Sequence, residues 1–122
     1  MEKDEQTALL KELLDQLESS KLAYQQYLAG GKTFRFAQEL KKYNSAIMLL
    51  LQTKGHLLSD ALQQDAAALL FHYHAWTTKW EQLAAAIHPQ PDDLFVFEND
   101  VTFPRQAAGN LEAVYLNLQA KT

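Results

Sequence analysis

Apolar residues recur between positions 62 and 87 in alternating steps of four and three: Leu62, Ala66, Leu69, Tyr73, Trp76, Trp80, Leu83 and Ile87. That spacing keeps one face of a single helix apolar along its whole length. The pattern starts near Ser59, and Pro89 and Pro91 forbid its continuation. The pattern therefore predicts a helix from near Ser59 to Ile87 or His88, roughly 40 Å long at 1.5 Å per residue.

Three further segments carry helical spacing. Between Asp4 and Ala29 the stripe is Leu10, Leu13, Leu14, Leu17, Tyr24, Tyr27 and Leu28. Asp4 is a candidate N-cap, and Gly30-Gly31 supplies the stop, because glycine readily enters the left-handed conformation that ends helices. The next segment starts at Thr33, carries Phe36, Leu40, Tyr43, Ile47, Leu50 and Leu51, and stops at Gly55. Arg35 and Glu39 are spaced as an i,i+4 pair on its outer surface. A fourth helix is expected from Pro104, with Ala107, Leu111, Val114 or Tyr115, and Leu118 facing inward.

Residues 89–103 break this regularity. Helix connections in bundles usually take roughly 2–8 residues, and this one is longer and strongly apolar. Leu94-Phe95-Val96-Phe97, then Glu98-Asn99-Asp100, then Val101-Thr102-Phe103 reads as two short extended pieces around a polar turn, a β-hairpin. A two-stranded hairpin is marginal alone in water, so it is expected to lie against another element. The heptad register suggests one. Leu70 and Phe71 fall off the seam, near Ala68, Ala75 and Ala85, and make a second apolar strip on the back of the third helix. The apolar loop or a second copy of the chain would cover it.

The expected architecture is all-α: one domain over residues 1–122, built as a four-helix up-and-down bundle with a long apolar loop between the third and fourth helices. At 122 residues and 48% hydrophobic content, the chain can build a core without staples. It has no cysteine, which removes disulfides and thiolate chemistry. Runs such as Ile47–Leu51 fall far short of the roughly 20 residues of a membrane span. The acidic start Met1-Glu2-Lys3-Asp4-Glu5 is unlike a secretory signal, so a soluble cytoplasmic protein is expected.

Net charge is −4, which disfavours non-specific nucleic-acid binding. Residues 32–54 are nevertheless basic, with Lys32, Arg35, Lys41, Lys42 and Lys54 against Glu39, between acidic flanks. Complementary packing of adjacent helices explains this better than a nucleic-acid patch at Lys41 and Lys42.

Candidate chemistry is sparse. None of His56, His72, His74 and His88 has a glutamate three residues before it, as a bundle di-metal site requires. His72 and His74 diverge by about 200° on a helix and cannot share an ion. Asp92-Asp93 is an adjacent pair in a loop, where carboxylates are usually solvated. Gly31-Lys32-Thr33 lacks the glycine that a phosphate-binding loop needs five residues earlier, where Gln26 stands. No metal, cofactor or catalytic residue is expected. The expected role is a non-catalytic interaction or adaptor module that binds another protein, a second copy included, through Leu70, Phe71, Phe95, Phe97 and Phe103. The alternative is a small-molecule pocket among Tyr43, Tyr73, Trp76 and Trp80, lidded by residues 89–103.

Overall fold

A computed structural model describes residues 2–120. The chain forms four helices: α1 (Glu2–Ala29), α2 (Phe34–Lys54), α3 (Asp60–Ile87) and α4 (Arg105–Ala120), with a short 3-10 turn at Gly55–Leu57. Helix α1 packs on α2 and α4, and α3 packs on the same two, which is compatible with a bundle.

The boundaries follow local chemistry. After α1 the chain closes in a Schellman motif: the Gly31 N–H reaches the Leu28 carbonyl, and the Lys32 N–H reaches the Tyr27 carbonyl at 2.8 Å. Gly31 adopts φ +85°, the conformation that favours glycine. Gly30 is required for space, since a Cβ there would run into the Phe36 ring. Helix α1 begins at Glu2, so Asp4 lies in its first turn rather than capping it. Thr33 and Ser59 occupy the N-cap positions of α2 and α3, but neither hydroxyl makes a capping bond. Helix α3 ends at His88, a non-glycine residue in the left-handed region, whose N–H reaches the Ala84 carbonyl.

The core has two parts. The larger is mainly aliphatic: Leu9, Leu10 and Leu13 from α1, Ile47 and Leu51 from α2, Leu62, Leu69 and Tyr73 from α3, Ala107 and Leu111 from α4. The smaller is aromatic and centres on Ala37, Trp80 and Phe95, with Tyr27, Phe34, Trp76 and Phe97 packed around them. Helix lengths explain the division. Helix α3 has 28 residues and α4 has 16; at 1.5 Å per residue these span about 42 and 24 Å. Helix α4 covers one part of α3, and the 89–103 connection covers the next. The seam is buried at Leu62, Ala66, Leu69, Tyr73 and Trp80, continues to Leu83, which packs half-buried on the aromatic part, and ends before Ile87, which is exposed.

The connection is not a β-hairpin. Among the described residues it makes one antiparallel bridge, between Leu94 and Thr33. Its carbonyls cap α2: Asp93 accepts from the Phe34 N–H at 2.9 Å and Pro91 from the Arg35 N–H at 2.8 Å. These are first-turn donors that have no partner within the helix. The Phe95 N–H returns a bond to the Lys32 carbonyl. Arg35 pairs with Asp92 at 3.1 Å instead of with Glu39. The extended piece thus finds its pairing partner in the α1–α2 turn and leaves its second half free to run along α3.

A polar cluster interrupts the aliphatic core. Ser20 and Asn44 are buried, and the Ser20 hydroxyl donates to the Asn44 side-chain oxygen. Burial pushes the pKa of Tyr73, from α3, up to about 12, an effect that Ser20 opposes in part.

Candidate functional site

The aromatic core encloses a cavity of about 160 Å³. It forms where the end of α1, the start of α2 and the second half of α3 meet the connection. Tyr24, Tyr27, Leu28 and Lys32 line one side, Ala37 and Leu40 the floor, Trp76 and Trp80 the far wall, and Phe95, Val96 and Phe97 the roof. Both tryptophans of the chain are therefore in the lining.

Several contacts hold these walls. The Trp80 indole N–H donates to the Ala37 carbonyl at 3.1 Å. Its ring stands 5.1 Å from Phe95 and 5.5 Å from Phe34, centroid to centroid, and Lys41 lies 4.3 Å over it. Trp76 meets Phe97 at 5.5 Å. The Tyr27 hydroxyl donates to the Phe95 carbonyl; burial raises its pKa, and neighbouring Tyr24 adds to the shift. The mouth differs from the walls: Tyr24, Leu28 and Val96 are all exposed large apolar side chains.

The connection is fixed to α3 beyond the cavity. His72 Nδ1 lies 2.9 Å from the Val101 carbonyl and, as the protonated nitrogen, donates to it. The Asn99 amide donates to the His72 carbonyl at 3.3 Å, and its oxygen accepts the Val101 N–H. Lys79 binds Asp100 at 2.7 Å. Phe103 packs edge-on against His72 at 5.3 Å.

Burial lowers the pKa of His72, and the backbone carbonyls of Val101 and Thr102 oppose that effect in part. A histidine held neutral in the fold takes up its proton more readily when unfolded. Its stability contribution is complete above the unfolded value near 6.5 and is lost as pH falls toward the lower folded value. The melting midpoint of the wild type should therefore fall more between pH 7 and pH 5 than that of His72→Gln. Parallel curves for the two would refute this account.

The residues expected to matter are dispersed. Trp76 and Trp80 line the cavity, while Tyr73 lies in the aliphatic core and Tyr43 is half-buried outside the lining, with Lys42 5.3 Å over its ring. Phe95 is fully buried at 0% exposure, so it is a core residue and not an epitope. Phe97 and Phe103 are half-buried against the two cores, and Leu70 packs on the aliphatic one. Phe71 remains 65% exposed, because the connection runs over Trp80, Trp76 and His72 rather than over the back of α3. Tyr24, Tyr27 and Lys32 join the site without having been expected there.

No family model matches this chain, and neither the curated proteins nor the solved structures contain a match to it. Geometry alone must therefore carry the functional reading. No group of three or more His, Asp or Glu side chains among the described residues is arranged to hold a metal ion. Among the described residues, no helix is long and apolar enough to cross a membrane.

Proposed function

We propose that this protein is a non-catalytic interaction module that takes up one apolar side chain of a partner protein in the aromatic cavity. The cavity's size carries the reading. Pockets for drug-sized ligands and cofactors run to about 300–1,000 Å³. An apolar cavity of about 150 Å³ accommodates benzene. At about 160 Å³ this one suits a single ring or branched aliphatic side chain and is too small for a whole cofactor.

The exposed apolar mouth supports a protein partner over a free small molecule. Tyr24, Leu28 and Val96 extend the apolar surface outward, where a neighbouring segment of a partner would cover them. A second copy of this chain is one such partner. The reading takes the helices in up-and-down order and the protein as cytoplasmic and soluble.

Titration with N-acetylphenylalaninamide tests the anchor directly. Both tryptophans line the cavity, so indole fluorescence reports its occupation. A saturable change is expected, and Val96→Glu at the mouth should weaken it. Absence of any saturable change up to the solubility limit would overturn the proposal.

A further inference from the structure

The cavity lining contains one cation, Lys32, and no carboxylate, in a chain whose net charge is −4. Neighbouring cations are already engaged: Arg35 with Asp92 at 3.1 Å, Lys41 with Glu81 at 3.4 Å and Lys79 with Asp100 at 2.7 Å. Lys32 is exposed and makes no ion pair among the described residues.

The backbone at Lys32 is also fixed. It holds φ +59°, a left-handed conformation that costs a non-glycine residue roughly 1–2 kcal/mol. Its N–H is bonded to Tyr27 and its carbonyl to Phe95, residues that both line the cavity. The ammonium therefore springs from an anchored point beside the mouth.

We infer that the partner segment is acidic: a phenyl-sized side chain enters the cavity, and a carboxylate flanking it in sequence pairs with Lys32. This rests on the reading of the cavity as an anchor site. The apolar part of such a segment matches the volume and the aromatic walls. Its charge meets a cation that has no acid of its own, in a lining that offers no competing carboxylate. A basic segment would meet like charge at the same place. Lys32 also sits just past the end of α1, where a cation is favoured by the helix dipole. That role would alter stability but would not make the protein sort ligands by charge.

The test uses the full chain and three capped tripeptides that differ only in their flanks: Glu-Phe-Glu, Gln-Phe-Gln and Lys-Phe-Lys. An exposed ion pair is worth a modest factor, so at low ionic strength the wild type should bind the acidic peptide about two- to five-fold tighter than the neutral one. The basic peptide should bind weakest, and added salt should compress the differences. Lys32→Gln should abolish the preference and Lys32→Glu should reverse it. Equal binding of all three peptides by the wild type, or a preference that survives Lys32→Gln, overturns the inference while leaving the anchor site intact. Failure of all three to bind, the neutral one included, overturns both.

Discussion

Phe95→Ala should destabilise the fold by about 3–5 kcal/mol, the range for deleting a buried phenyl ring. The side chain has 0% exposure, although it comes from a connection with no helix or strand of its own. Its ring lies 5.1 Å from both Phe34 and Trp80 and 6.0 Å from Phe97. Removing it leaves three aromatic rings facing a void that they are too rigid to fill. It also loosens the Lys32–Phe95 backbone bond and the Tyr27 hydroxyl contact, which depend on the same residue being in place. Urea unfolding followed by circular dichroism measures the loss. Phe95→Leu retains most of the volume and should cost less than about 1.5 kcal/mol. A loss below about 1 kcal/mol for the alanine variant would mean that the ring does not hold the connection down.

Asn44→Ala should cost about 2–3 kcal/mol, from a buried hydrogen bond broken and a partner left unsatisfied. Asn44 is 4% exposed and accepts from Ser20, which is itself buried at 8%. Two elements, α1 and α2, thereby meet through one polar contact inside apolar surroundings. Ser20→Ala and the double variant complete a cycle. Because the residues share one network, the double variant should lose clearly less than the two single losses added together. Strict additivity, measured by the same unfolding experiment, would show that the pair is not coupled.

Much of the helical framework is legible in the chain. Gly30-Gly31, Pro89 and Pro104 mark the ends of the elements through local restrictions, so residue identity alone suffices, whereas Gly55 closes α2 in an ordinary right-handed conformation and continues into the 3-10 turn. The seam from Leu62 to Trp80 is legible for a similar reason: periodicity reports which face of a helix is apolar.

Periodicity does not report what covers that face. The alternation in residues 94–103 is that of an extended chain, and a hairpin is its cheapest local solution. The actual partner of Leu94 is Thr33, far off in sequence, presented by a turn whose shape depends on positive φ at Gly31 and Lys32. Neither value can be read from composition, and Lys32 is a residue type that rarely takes it.

The site was half legible for the same reason. Trp76 and Trp80 were recoverable because they lie on the seam. Tyr73 lies on it too, but in the stretch that α4 reaches, since it packs in the cluster that holds Ala107 and Leu111. Tyr24 and Tyr27 fit the α1 stripe, and only their nearness to the glycine pair signalled that they stand at an end of the helix. Phe95 is expected as a partner contact because it stands in an apolar loop, and nothing in that local pattern distinguishes a core ring from a docking one. The short helix α4 covers only part of α3, and the sequence does not show that the connection serves as core over the rest.

That shortness has a consequence for how the molecule opens. Where α4 covers α3, apolar side chains from all four helices interlock. Beyond α4, the cover is a strap pinned by the buried Phe95 ring and the half-buried Phe97, with a few backbone bonds, a histidine and ion pairs at the surface. A segment that rests on fewer interlocking side chains than the rest of the molecule detaches at a lower free energy than the whole fold. The strap and the aromatic rings beneath it thus form a separate, weaker cooperative unit on the same continuous α3. In amide exchange its protons would be released by partial opening, while the aliphatic end holds its own until the chain unfolds.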